Sequence, residues 1–111
     1  MTRADRELAR DALDHIATLH QHLTRGDMSD STIADAVCLR LAAAIEAISN
    51  TSPAFRERTF ADQWPIMWAT RNRIAHGYAF IEMPIIKATV ERDLPWFEAG
   101  LTEEVRRLSQ G

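Results

Sequence analysis

Cysteine is all but missing from this 111-residue chain. Cys38 stands alone in an apolar helical pattern, so neither a disulfide framework nor a cysteine-built metal site is available, and a reducing compartment fits. No apolar run approaches membrane-spanning length, and no alternation of apolar and polar residues marks a strand. Internal repeats and low-complexity segments are lacking too. The N-terminus, Met1-Thr2-Arg3-Ala4-Asp5-Arg6, is charged and leads into an amphipathic pattern rather than a signal-peptide apolar region. The expectation is a cytoplasmic protein with no membrane contact. An excess of positive charge is also absent: the formal net charge is −3, which argues against coating nucleic acid through bulk electrostatics.

What is present is helical periodicity. Leu8, Ala12, Ile16, Leu19 and Leu23 recur at three- and four-residue steps, so Arg3 to Thr24 reads as an amphipathic first helix. Its three histidines, His15, His20 and His22, read as surface or interface groups rather than metal ligands, because a metal pair prefers a spacing of four with a carboxylate at the same level. Asp30, Ser31 or Thr32 can cap a second helix running to about Ser49 on Ile33, Val37, Leu41, Ile45 and Ile48. Ala42, Ala43 and Ala47 leave it a side of small residues that another helix could approach. Asn50-Thr51-Ser52-Pro53 is the clearest turn, followed by one short helical turn in which Phe55 and Phe60 pin the connection to the core. A third helix starts between Asp62 and Pro65 and closes at Gly77, expected to be left-handed. A last helix begins near Pro84 and carries Ile86, Val90, Leu94, Phe97, Leu101, Val105 and Leu108. Pro95 inside it predicts a kink between Glu91 and Pro95, and Gly100 is expected to loosen it further. Four helices at these lengths predict an all-α bundle.

The polar chemistry concentrates at the end of the third helix, in Arg71-Asn72-Arg73-Ile74-Ala75-His76-Gly77-Tyr78. Between Thr51 and Phe80 the charges balance at +2, leaving −5 for the rest of the chain. His76 falls in the last turn, where the helix macrodipole favours its protonated form, so it suits acid or base work. Arg71 and His76, five residues apart, are separated by about 140° around an ideal helix. Asn72 and His76 share a face. To bring Arg71 and His76 to one substrate, either the last turn unwinds at Gly77 or a second copy of the chain supplies the other residue across a two-fold axis. Glu46 interrupts an otherwise apolar stretch, either as an exposed charge or as a carboxylate that orients Arg71 or contacts a partner protomer. Trp64 and Trp68, four apart, read as core or interface anchors before base-stacking residues.

These residues resemble a known family. Arg71, Asn72, His76 and Tyr78 match the Arg-Asn-x-x-x-His-x-Tyr signature of HepT-like toxins in the HEPN (higher eukaryotes and prokaryotes nucleotide-binding) superfamily. Upstream, Arg40-Leu41 with Glu46-Ala47 resembles the family's second helix. Downstream, Val90-Glu91-Arg92-Asp93-Leu94-Pro95 resembles its run into the last helix. The similarity covers essentially the whole chain and is strongest from Arg40 to Phe97.

The resemblance implies a single HEPN-like domain over residues 1–111, an up-and-down four-helix bundle with a kinked last helix, pairing as a two-fold homodimer. It implies the toxin of a toxin-antitoxin pair, neutralised by a minimal nucleotidyltransferase antitoxin that transfers AMP to Tyr78. The expected activity is that of a metal-independent endoribonuclease requiring no cofactor, with Arg71 and His76 catalytic and Asn72 and Arg73 positioning the RNA. The alternative is a non-catalytic helical module that binds nucleotide or docks onto a nucleotidyltransferase through the same residues. Under a purely structural role, Arg71 pairs with Glu46 or Asp62, His76 only caps its helix and Tyr78 only packs.

Overall fold

Asp30 starts the helix around which the others pack. Its carboxylate accepts from the backbone N–H groups of Thr32 at 2.8 Å and Ile33 at 3.5 Å, two donors that a helix start leaves without partners. In the computed structural model of the chain, which describes residues 3–77 and 83–110, this helix, α2, spans Ser31–Ser49. It follows α1 (Arg3–Leu23) and is followed by α3 (Pro53–Phe60), a 3-10 turn (Ala61–Gln63), α4 (Trp64–Gly77), α5 (Met83–Ala88), a π-helical turn (Thr89–Asp93) and α6 (Leu94–Gln110). The chain is all-α, with no strand among the described residues. The expected helical bundle is what the structure shows.

Burial follows the sequence stripes. Ile16 and Leu19 of α1, Val37, Leu41, Ile45 and Ile48 of α2, Met67 of α4, Ile86 of α5, and Leu94, Phe97 and Leu101 of α6 form one core. Each such side chain contributes about 1.5–3 kcal/mol through removal from water. α1 packs along α2, with Asp5 meeting Ser52 just beyond α2 and His15 meeting Arg40 within it. The residue numbers run in opposite senses, so the two helices are antiparallel. α2 also packs on α4, while α6 covers α1 and α3. No helix among the described residues is long and apolar enough to cross a membrane.

Three local details differ from the sequence expectation. The short turn after Pro53 is a full helix: Ser52 Oγ accepts from the N–H of Phe55 at 3.2 Å, and Pro53 occupies the first turn, where its missing donor costs nothing. Phe55 and Phe60 are buried as expected. The irregularity before Pro95 takes the form of the π-helical turn, in which the N–H of Leu94 reaches back to the carbonyl of Thr89. Pro95 has no N–H and its ring crowds the carbonyl of Glu91, and a widened turn accommodates both. Gly100 does not loosen α6. A Cβ there would lie 3.2 Å from the Phe60 ring and 3.4 Å from the Thr59 methyl, so the glycine lets α3 and α6 approach.

Asp5 carries a constraint that periodicity does not show. Its buried carboxylate accepts from Ser52 N at 2.7 Å and from Ser52 Oγ at 2.8 Å. The hydroxyl that donates to Asp5 is the one that caps α3, so the start of α1 fixes the start of α3. Asp5→Ala leaves the Ser52 donors facing a dry site and is expected to cost about 1–3 kcal/mol. In urea unfolding, Asp5→Ala combined with Ser52→Ala should cost clearly less than the two single losses together, because both act through one contact.

Cys38 is also buried, and burial, reinforced by the nearby Asp35 carboxylate, pushes its thiol up from an ordinary 9.0 to about 11. Between those values the unfolded chain releases a proton that the folded chain keeps. The contribution is therefore intact below about pH 9 and is lost as pH rises toward about 11. Cys38→Ala should flatten the alkaline fall of the urea midpoint across that window. At pH 8 an aromatic disulfide reagent should label the wild-type thiol only once urea unfolds the chain.

Candidate active site

α4 positions the site by dividing its surface into three strips. Met67, Thr70 and Ile74, at steps of three and four, face inward and are buried. Trp64, Trp68 and Arg71 follow on the flank toward α2. Ile66, Ala69 and Arg73 lie on the other flank, beside α5 and the π-turn. One helix thereby sends two arginines of the same motif to different surfaces. Positions two apart stand about 200° apart around the axis.

Arg71 is the most constrained of the motif residues. Its Nε lies 2.6 Å from Glu46 Oε2 across the α2–α4 seam, and its Nη1 donates to Asn72 Oδ1 at 3.1 Å. The guanidinium carbon sits 4.9 Å above the centre of the Trp68 ring. The Arg71 side chain is 25% exposed and that of Glu46 48%, so the group is held without being sealed off. A guanidinium carries five N–H donors, of which these contacts use two. Among the described residues no further hydrogen bond of this group is seen, and its planar fork is well matched to a phosphate.

Trp68 belongs to a row of rings. It stacks on Trp64 at 6.0 Å, Trp64 stacks on Phe60 at 6.3 Å, and Phe60 stacks on the buried Phe97 at 4.9 Å. Arg56 lies over Trp64 at 5.7 Å and donates to the carbonyls of Ser49 and Thr51, which ties the α2–α3 connection to the same row. Reading Trp64 and Trp68 as packing anchors missed the contact with Arg71. The three-residue step from Trp68 to Arg71 on one helix was the signal available for it.

His76 is exposed, in the last turn of α4, with no hydrogen bond or ion pair to another described residue. α4 continues through Gly77, and no described glycine has a positive φ. The left-handed closure expected at Gly77 is therefore not what the structure contains, and the last turn does not unwind there. Regular helix keeps Arg71 and His76 about 140° apart within one chain. Asn72 is half-buried beside Arg71. Arg73 is exposed and lines a groove of about 520 Å³ with Ile66, Pro84, Ile85 and Arg92, away from Arg71. Tyr78 lies outside the described residues, as does the segment 79–82.

Two of the three histidines of α1 find partners on different helices: His15 Nδ1 is 3.1 Å from Arg40 Nη1, and His20 Nε2 is 2.8 Å from Glu98 Oε1. No three His, Cys, Asp or Glu side chains among the described residues converge to hold a metal ion. The α2 flank of α4 thus carries a pre-oriented cation with an amide beside it, and the same helix ends in an exposed imidazole turned about 140° away. That set can bind a phosphodiester, steady its developing negative charge and move a proton.

An all-α bundle with such a helix is the architecture of a HEPN-type protein. The sequence model of the family described as "Ribonuclease HepT-like" matches residues 9–104, and the chain belongs to this family, a member of the HEPN superfamily. A ribonuclease family makes RNA the substrate class. No curated protein and no solved structure matches the chain.

Proposed function

We propose that this chain is the toxin of a HEPN/nucleotidyltransferase toxin-antitoxin pair, a metal-independent endoribonuclease that cleaves RNA through the ribose 2′-OH. The supporting observation is the fixed Arg71 guanidinium, held by Glu46, Asn72 and Trp68 on the helix that also carries the exposed His76. Membership of a ribonuclease family supports RNA cleavage as the reaction.

The chemistry needs three things. A base removes the 2′-OH proton, and the 2′ oxygen bonds to phosphorus. The bond from phosphorus to the 5′ oxygen breaks, and an acid protonates that oxygen. The products are a cyclic 2′,3′-phosphate and a free 5′-OH, and DNA is spared because it lacks the nucleophile. His76 performs the proton transfer. Arg71 stabilises the charge on the phosphorane oxygens. Asn72, whose Oδ1 accepts from Arg71, donates from Nδ2 to a phosphate oxygen, and Arg73 guides RNA outside the cleavage point.

A homodimer completes the site in this reading. Since one α4 keeps Arg71 and His76 apart, a two-fold axis near the helix end brings Arg71 of one protomer to His76 of its partner. A minimal nucleotidyltransferase is the antitoxin and transfers AMP to Tyr78, placing a phosphate and a base where RNA would lie. A second reading draws on the Arg71–Glu46 ion pair, which already satisfies part of the cation: a non-catalytic module that binds nucleotide or docks onto the nucleotidyltransferase.

Arg71→Ala and His76→Ala should each abolish cleavage of single-stranded RNA by at least about a hundredfold while the protein stays folded. Wild-type cleavage should persist in EDTA. Mixing the two variants should restore about a quarter of wild-type activity, since half of random pairs are mixed and each mixed pair holds one intact composite site. Undiminished cleavage by either variant excludes the mechanism, and RNA binding without cleavage by clean wild-type protein selects the binding module.

With the nucleotidyltransferase and ATP, intact-mass measurement should show added AMP on the wild-type chain and none on Tyr78→Phe. AMP still added to Tyr78→Phe would show another acceptor.

A further inference from the structure

An arginine that stabilises a transferring phosphoryl group is useful only if its guanidinium waits in one orientation. A long flexible side chain does not provide that alone. Glu46 on Nε and Asn72 Oδ1 on Nη1 hold two points on the edge of the planar group, which can still tilt about the line joining them. At Arg71 the indole face of Trp68, 4.9 Å below the guanidinium carbon, removes that freedom. The ring itself does not drift, because Trp68 stacks on Trp64, Trp64 on Phe60, and Phe60 on the fully buried Phe97. The interplanar angles along this row are 25°, 26° and 23°, so the plane of the last ring is inherited from the core.

We propose that Trp68 is a positioning residue for the ribonuclease reaction: its indole face, anchored through Trp64 to the core, holds the Arg71 guanidinium with Glu46 on Nε, leaving the outer N–H groups for the scissile phosphate. The proposal rests on the ribonuclease reading. It assigns Trp68 a role that burial alone does not require, since the residue is only half-buried and its outer part meets a charge rather than the core. An aliphatic side chain at position 68 would fill much of the same space, but it has no quadrupole to attract the cation. A phenylalanine keeps the π face at smaller area.

The test compares Trp68→Phe, Trp68→Leu and Glu46→Gln in the full chain on a labelled single-stranded oligoribonucleotide. Beside it runs the side-chain NMR signal of Arg71 Nε–H, identified by its loss in Arg71→Lys. The wild-type signal should be shifted upfield by the indole ring current. In Trp68→Leu that shift should disappear, and kcat should fall about ten- to hundredfold with KM little changed, the pattern of a contact that matters in the transition state. Trp68→Phe should recover most of the rate and part of the shift. Glu46→Gln should lower kcat while keeping the ring-current shift. If Trp68→Leu melts too early to assay, Trp68→Met replaces it.

Folded Trp68→Leu that cleaves as fast as Trp68→Phe overturns the proposal. So does a loss of rate with the Arg71 signal unmoved. A wild-type chain inert on RNA counts against the ribonuclease reading itself, and the Arg71 signal in Trp68→Leu then decides whether the indole holds the guanidinium.

Discussion

The contact between Glu46 and Arg71 marks where the apolar seam between α2 and α4 turns polar. Neighbouring residues on both helices, Ile45, Ile48, Met67 and Ile74, are buried and supply the adhesion. An ion pair with a half-exposed carboxylate adds about 0–1 kcal/mol, against about 1.5–3 kcal/mol for each buried side chain beside it. The pair is therefore a poor account of why the helices pack. It is a good account of where one guanidinium points, since Nε, Nη1 and the π face are each engaged by a different neighbour.

Most of the scaffold was legible because its helices are strongly periodic. Apolar steps of three and four in α1, and the same steps with an acidic cap in α2, gave boundaries that the structure keeps to within a residue or two. α3 shows the limit. Its two buried residues, Phe55 and Phe60, are five apart and make no stripe, so only the serine-proline start hinted at a helix. The role of Asp5 was hidden for a different reason: its partner Ser52 is 47 positions away, and no local pattern signals a buried carboxylate. At Pro95 the sequence located the irregularity but not its form, because a kink and a π-turn answer the same missing donor.

The site was legible in parts. Arg71, Asn72 and Glu46 do come together, and a carboxylate standing in the apolar half of α2 was the visible sign. Arg73 shows why adjacency in a motif is a weak guide, since two steps along a helix turned it into the groove with Arg92. The histidines of α1 make the same point between helices. His15 and His20 are both well placed for solvent by spacing, yet one reaches α2 and the other α6, and only packing decides that.

Regularity also means that α4 of one chain does not by itself unite the two groups that the proposed reaction uses. A helix that unwound at Gly77 could have folded His76 back toward Arg71, and then one chain would have sufficed. The continuous helix removes that route and keeps the two positions about 140° apart around its axis. In the proposed homodimer, repeating the helix end around a two-fold axis would bring the two groups together, and it would answer a second problem. A chain carrying −3 overall has little general attraction for RNA, but in the proposed dimer two copies of a segment that is locally positive would gather that charge at one place. On this view the ion pair with Glu46 is part of the same economy. It holds the arginine through Nε, so that in the proposed dimer the remaining N–H groups of the fork would be oriented toward a phosphate.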